Sequence, residues 1–188
     1  MGLRYDRDKL LHQVRLQMNE KRYRHSLGVA ESARQLAERY GADPDKAELA
    51  GYVHDYCKCW PTDRLREHVV RYDLPQEVLN GDKNLWHAFV GAIVIQRELE
   101  ITDPDVLQAV RYHTTGRVGM SLLEKVVCLA DYIEPNRSFP GVDEIRQRAQ
   151  EDLDHALAFA LGGTIQDLIE RNKQVYPLTL LAYNDLVV

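Results

Sequence analysis

His25, the adjacent pair His54-Asp55, His87, His113 and Asp131 are the residues of this sequence whose types and spacing can do chemistry. Adjacent His and Asp offer an imidazole and a carboxylate from a single turn. If the other four converge on that pair from separate helices, the outcome is a mixed nitrogen and oxygen site with room for two metal ions. Such donors suit iron, manganese, zinc or nickel, whereas calcium and magnesium prefer shells of oxygen alone. Two ions about 3.5–4 Å apart can hold a bridging hydroxide and clamp an attacked phosphorus, so no protein nucleophile is needed. Cations accompany the candidate ligands. Lys58 follows His54 by one helical turn, which places an ammonium where it can clamp a phosphate oxygen. His113 precedes Thr114-Thr115-Gly116-Arg117, a source of hydroxyls, flexible backbone and a cation. Arg137, shortly after Asp131, can grip phosphate bidentately. Cations placed so locally suit a small phosphorylated ligand better than a duplex.

The elements that must position these residues read as helices throughout. Leu10, Leu11, Val14, Leu16 and Met18 mark a stripe over 6–19. A second helix over 20–40 stops at Gly41 and carries His25. Asp43-Pro44 opens a third as cap and first residue, leading to His54-Asp55 before Pro61. Thr62 is expected to cap the next helix, and a short turn after Pro75 breaks at Asn80-Gly81-Asp82. A helix over 84–100 carries His87. Asp103-Pro104 repeats the cap-plus-proline start for the helix that ends at His113. Ser121 caps a helix that reaches Asp131. Residues 142–173 read as one long helix, dented at Gly162-Gly163, and Pro177 starts a last short one. No stretch alternates like a strand. Small residues stand beside each candidate ligand: Gly28 and Ala30, Ala50 and Gly51, Ala88 and Gly91, and Ala130. They let helix axes approach closely, which short His and Asp side chains need in order to meet. The expectation is an all-α chain, residues 1–188 forming a single domain, with a metal-binding core over about 20–137 and C-terminal helices over about 142–188.

Composition narrows the classes. The chain has 188 residues, 45% of them apolar, enough for one full core. A formal net charge of −5 gives no general basic surface, so nucleic acid is not expected as a partner. No apolar run approaches the ~20 residues of a membrane span. The charged, amphipathic N-terminus lacks the apolar core of a signal peptide, and the Met-Gly start fits myristoylation poorly because Asp6 takes the Ser/Thr position. A cytoplasmic location is expected. Cys57, Cys59 and Cys128 make an odd count without a zinc-ribbon spacing and read as reduced packing residues. No G-x-S-x-G elbow, Walker loop or G-x-G-x-x-G fingerprint occurs.

The order His25, His54-Asp55, His87, His113, Asp131 resembles the HD-domain metal-dependent phosphohydrolases. Within them the chain is similar to the bacterial YqeK family of symmetrical diadenosine-tetraphosphate hydrolases. The strings that carry the resemblance are YRHSLGVAESARQLAERYG, ELAGYVHDYCK, WHAFVGA, VRYHTTG and LEKVVCLADYIEPNR, spanning most of Tyr23 to Arg137. The resemblance implies an HD-domain helical bundle. It implies that His25, His54, Asp55 and Asp131 hold one metal ion, that Asp55 bridges to a second, and that His87 and His113 ligate the second. It implies iron as the metal and dinucleoside polyphosphates as substrates, with diadenosine tetraphosphate cut by a metal-bound hydroxide to two ADP. Asp55, Lys58, His87 and His113 then serve catalysis, and Lys58, Thr115 and Arg137 match positions near the phosphates. The family carries isoleucine or leucine after the His-Asp pair; here Tyr56-Cys57 follows, which bears on the floor of the pocket.

Plainer readings compete. A lone helical histidine is more often a packed or surface residue than a ligand, and His12, His68 and His155, in charged stretches, are read that way. Lys58 can be a cation at a helix end, Arg137 a loop residue, Thr115 a helix terminator, and Glu134 either a partner of a ligand or solvated. Trp86 and Tyr132 fit core packing better than base stacking. Rival functions are an HD phosphohydrolase of another nucleotide (a monophosphate, cyclic nucleotide or alarmone) and a nucleotide sensor without turnover. A scaffold role leaves the ligand set unexplained. The C-terminal helices are expected either to cover the core or to form a homodimer contact.

Overall fold

The computed structural model describes residues 5–188, so the Met-Gly start lies outside the described residues. Among the described residues there is no strand. Asp6 caps α1 (Arg7–Leu16) by accepting from Lys9 N. Asn19 caps α2 (Glu20–Tyr40), and Gly41, at φ 83°, closes it in the left-handed conformation that glycine adopts without strain. Asp43 accepts from the amides of Asp45 and Lys46 at the start of α3 (Pro44–Val53). α4 (Thr62–Arg71) and α5 (Gln76–Asn80) follow, and then α6 (Lys83–Glu98), capped by Asp82. Asp103 caps α7 (Pro104–Tyr112) as Asp43 caps α3. Ser121 and Glu124 form a reciprocal capping box at α8 (Leu122–Ile133). α9 (Val142–Arg148), α10 (Leu153–Glu170) and α11 (Pro177–Leu186) complete the chain.

Helices α2, α3, α7 and α8 pack on one another, with α6 against α7 and α4. Val29, Ala30, Ala33, Val53, Val110, Val126 and Leu129 are fully buried between them. The small residues act where helices meet. A Cβ at Gly51 would lie 2.7 Å from the Ala30 amide nitrogen and 3.0 Å from the Val29 carbonyl carbon, so α3 lies directly on the α2 backbone. Helix α10 packs on α8, α9 and α11. No helix among the described residues is long and apolar enough to cross a membrane.

Two expectations are corrected. The helix over 142–173 is two helices. Asp152, at φ −149°, leaves helical geometry and caps α10 by accepting from His155 N, while Gly162 and Gly163 sit inside α10 without interrupting it. Thr62 is not a cap but the first residue of α4, and Pro61 before it offers no side-chain acceptor.

Candidate metal centre

Each imidazole is aimed by its own δ nitrogen. α3 ends at Val53 and α7 at Tyr112, so His54 and His113 stand just past helix C-termini, where backbone carbonyls lack helical partners. The His54 Nδ1–H donates to the Gly51 carbonyl and the His113 Nδ1–H to the Val110 carbonyl, each at 2.7 Å. His87, in the second turn of α6, donates from Nδ1 to the Asn84 carbonyl at 2.7 Å. His25, on α2, differs: its Nδ1 donates to Glu134 Oε1 at 3.0 Å, across 109 residues. Carbonyl and carboxylate oxygens only accept, so all four rings carry their proton on Nδ1 and turn an Nε2 lone pair inward.

Those lone pairs meet Asp55. Its Oδ2 lies 3.7 Å from His25 Nε2 and 3.3 Å from His54 Nε2. Its Oδ1 lies 3.0 Å from His87 Nε2 and 3.8 Å from His113 Nε2. One carboxylate therefore divides its two oxygens between two imidazole pairs. Asp131 Oδ1 closes the first pair, 3.0 Å from His25 Nε2 and 3.9 Å from His54 Nε2. The structure thus brings together all six residues expected as ligands. Their donor atoms form three overlapping groups, His25/His54/Asp55, His54/His113/Asp131 and Asp55/His87/His113, each within 4.8 Å.

This donor set fits transition metals. His25 Nε2 and His54 Nε2 are buried without a hydrogen-bond partner among the described residues, a costly state that a metal ion would relieve. His87 Nε2 and His113 Nε2 face each other at 3.2 Å with both Nδ1 atoms acting as donors, so two lone pairs oppose unless a cation lies beside them. Burial drives the His113 pKa down to about 3, with His54 and His87 adding to the effect, and burial lowers His87 as well. Burial resists a proton on His54 too, but Asp55 and Asp131 overcome it and raise its pKa. Burial likewise opposes ionisation of Asp55 and Asp131. Their imidazole neighbours, and Arg137 in the case of Asp131, overcome it and hold both carboxyls well below the usual range.

The cations are placed unequally. α3 stops before His54, and residues 54–60 run as successive tight turns (Lys58 N to Asp55 O at 2.9 Å, Trp60 N to Cys57 O at 3.1 Å), so Lys58 does not share a helix face with His54. It still reaches the cluster, its Nζ 3.5 Å from His87 Nδ1. That nitrogen already donates to Asn84, so it offers the ammonium no acceptor, and burial lowers the Lys58 pKa against the pull of Asp55. Arg137 does not stand free. It hydrogen-bonds Asp131 through Nη2 to Oδ1 and through Nε to the backbone carbonyl at 2.8 Å. Thr115 is fully buried and its hydroxyl donates to the Gly116 carbonyl at 2.9 Å, whereas Thr114 Oγ1 lies 3.0 Å from His113 Nε2. Thr114, not Thr115, faces the cluster.

Glu134 is a buried partner rather than a solvated acid. Besides His25 it accepts from Asn136 N at 2.7 Å and Asn136 Nδ2 at 2.9 Å. A Cβ at Gly28 would sit 2.5 Å from Glu134 Oε2, so glycine there makes room for it. Sequence reasoning passed over Arg22, whose Nη1 meets Asp55 Oδ2 at 2.7 Å; its spacing of three from His25 was the available signal. Tyr56 and Cys57 are buried, the Tyr56 hydroxyl donating to Glu98 at 3.3 Å. Trp86 donates to the Val78 carbonyl and Tyr132 bonds Thr164, both as packed residues.

Comparison with known proteins shows the family to which the chain belongs. The HD domain family model matches residues 22–136. The chain is 48% identical over 182 residues to a protein of Bacillus subtilis named "Bis(5'-nucleosyl)-tetraphosphatase, symmetrical", covering 97% of this chain and 98% of that one. It is 46% identical over 183 residues to a protein of the same name from Halalkalibacterium halodurans, with the same coverage of 97% and 98%. A crystal structure from Clostridium acetobutylicum, described as a predicted HD superfamily hydrolase involved in NAD metabolism, superposes with a TM-score of 0.93 at 40% identity over 97% of both chains.

Proposed function

Because the chain belongs to the HD-domain family, and within it to the family of symmetrical bis(5'-nucleosyl)-tetraphosphatases, we propose that it hydrolyses dinucleoside polyphosphates, diadenosine tetraphosphate and water giving two ADP. The observation that carries the reading is Asp55, with one oxygen turned to His25 and His54 and the other to His87 and His113. That division suits two cations sharing one carboxylate. His25, His54, Asp55 and Asp131 would hold one ion, and Asp55, His87 and His113 the other. Iron, or manganese, zinc or nickel in its place, matches the mixed imidazole and carboxylate donors. When bound, such a pair supplies an acidified water and charge to offset the phosphate oxygens.

The chain's own residues do the rest. The four Nδ1 hydrogen bonds fix the orientation of each imidazole and turn its Nε2 inward. Lys58, half-buried beside His87 and without a carboxylate partner among the described residues, is set for a phosphate oxygen of the substrate. Thr114 can add a hydroxyl next to His113. Arg137 fixes Asp131 and keeps Nη1 for phosphate. We read residues 1–188 as one HD domain, its C-terminal helices covering the α8 side of the core.

Product chromatography after incubation of the metal-loaded protein with diadenosine tetraphosphate tests the proposal. ADP alone supports symmetrical cleavage. ATP plus AMP keeps a hydrolase but refutes the cleavage register. No turnover at confirmed metal content refutes the substrate.

A further inference from the structure

One guanidinium gathers the backbone at the end of α8. Arg146, on α9, donates from Nε to the Ile133 carbonyl at 3.1 Å, and from Nη2 to the Glu134 carbonyl at 3.0 Å and the Arg137 carbonyl at 2.9 Å. A helix leaves its last carbonyls without partners, and its dipole favours a cation there. The remaining contact, Nη1 to Asp143, adds little, because the Asp143 side chain is 92% exposed. α9 is itself held in place. Val142 and Ile145 are buried, and the Tyr40 hydroxyl, at the end of α2, donates to the Ala149 carbonyl at 2.9 Å. The three carbonyls therefore meet a donor that is already fixed.

The turn that Arg146 holds aims two candidate ligands at once. Its Glu134 side chain accepts from His25 Nδ1, and its Arg137 side chain grips Asp131. Both ligands belong to the position expected to be shared by His25, His54, Asp55 and Asp131. The other position depends on His87 and His113, which lean on carbonyls near the ends of their own helices. There is little slack in the turn. Glu134 Oε2 lies so close to α2 that a Cβ at Gly28 would come within 2.5 Å of it, so a small shift of the backbone carries the carboxylate off His25 or into α2.

We propose that Arg146 is a positioning residue of this site: it fixes the carbonyls of Ile133, Glu134 and Arg137, holds the turn that aims His25 and Asp131, and so governs one metal position and not the other. The inference rests on the two-metal reading above. A guanidinium serves three carbonyls at once because its N–H groups form a fixed planar fork, whereas an ammonium is a single point of charge. Arg146→Lys keeps the charge and part of the bonding, and Arg146→Ala gives up both.

The test uses the full chain, stripped of metal, as wild type, Arg146→Lys and Arg146→Ala. Arg148→Ala is the control, an arginine of the same helix that pairs with exposed Glu144 and stacks on Phe159. Proton–nitrogen NMR reads the four histidine Nδ1–H signals, and cobalt(II) titration followed by visible absorption reads the two metal affinities. In Arg146→Ala the His25 signal should be lost and those of His54, His87 and His113 kept. One cobalt affinity should fall about 10–100-fold and the other should hold. Arg146→Lys should fall between Arg146→Ala and wild type, and Arg148→Ala should match wild type. An unchanged His25 signal in Arg146→Ala would overturn the proposal. So would equal weakening of both ions, or loss of all four signals together, since Arg146 would then support the fold at large. If Arg146→Ala does not fold, Arg146→Lys decides by the same readouts. Wild type that shows the His25 signal but binds fewer than two cobalt ions would overturn the two-metal reading alone, because the ring signals still report on Arg146.

Discussion

Gly51→Ala should disable the site without touching a ligand. A Cβ at this position would lie 2.7 Å from Ala30 N and 3.0 Å from Val29 C, and nearer still to Ala30 Cα. Carbon contacts rest at about 3.5–4.0 Å, so α2 and α3 would have to separate by about 1 Å. The obstacles are backbone atoms, and no side chain can swing aside. Overpacking of this kind costs about 1–3 kcal/mol. Replacing a helical glycine with alanine returns about 0.5–1 kcal/mol. The net loss of about 0–2.5 kcal/mol lowers Tm by up to about 10 °C in a chain of this size. The functional loss should be larger than the stability loss. α2 carries His25 and α3 delivers His54 and Asp55, and metal sites tolerate only about 0.2 Å of ligand displacement. Turnover should fall about a hundredfold, with metal bound at less than wild-type stoichiometry. Gly163→Ala is the control, since a Cβ there meets nothing within 4 Å inside α10, and it should raise Tm. Calorimetry and elemental analysis on both variants decide the matter. Gly51→Ala with wild-type Tm, metal content and kcat would refute the close-approach argument.

Three further outcomes are expected. Glu134→Ala removes the acceptor of His25 Nδ1 and two Asn136 bonds, and should weaken metal binding about 10–100-fold in chelator competition; unchanged affinity would mean that His25 needs no orienting partner. His87→Ala should abolish hydrolysis and leave the circular dichroism spectrum intact, so unchanged turnover would remove His87 from the site. Metal-stripped protein should lose stability on acidification below pH 6.5, as read by denaturant melts. There the unfolded chain protonates a histidine that folded His113, at about 3, refuses, which costs about 1.4 kcal/mol per pH unit. His87, also lowered, adds to the slope, while His54, raised, is protonated in both states below 6.5 and adds none. A flat profile from pH 6.5 to 5 would count against the buried neutral imidazoles.

The ligands were legible because they are rare residue types set beside glycine and alanine, and helix starts were legible because Asp43, Asp103 and Ser121 carry their caps in sequence. What escaped depends on relations that sequence order conceals. Glu134 acquires its role from His25, 109 residues away. The break before α10 has no proline or glycine, and only Asp152 as a cap marks it. Lys58 was expected on a helix face because α3 gives no sign in its apolar pattern that it ends at Val53. Thr114 and Thr115 are adjacent and chemically alike, so only the path of the chain after Tyr112 decides which hydroxyl faces His113.

The anchoring of the imidazoles divides the site by what aims each ring. His54, His87 and His113 are each turned by a carbonyl three residues earlier, so a single local turn suffices to aim them. His25 has no such local guide and waits for the end of α8 to dock against α2. His87 and His113 therefore keep their aim without Glu134, while the half of the site that holds His25 depends on it. The α2–α8 seam is thus a latch for one half of the site: opening it would free the His25 ring to turn and leave His54, His87 and His113 aimed.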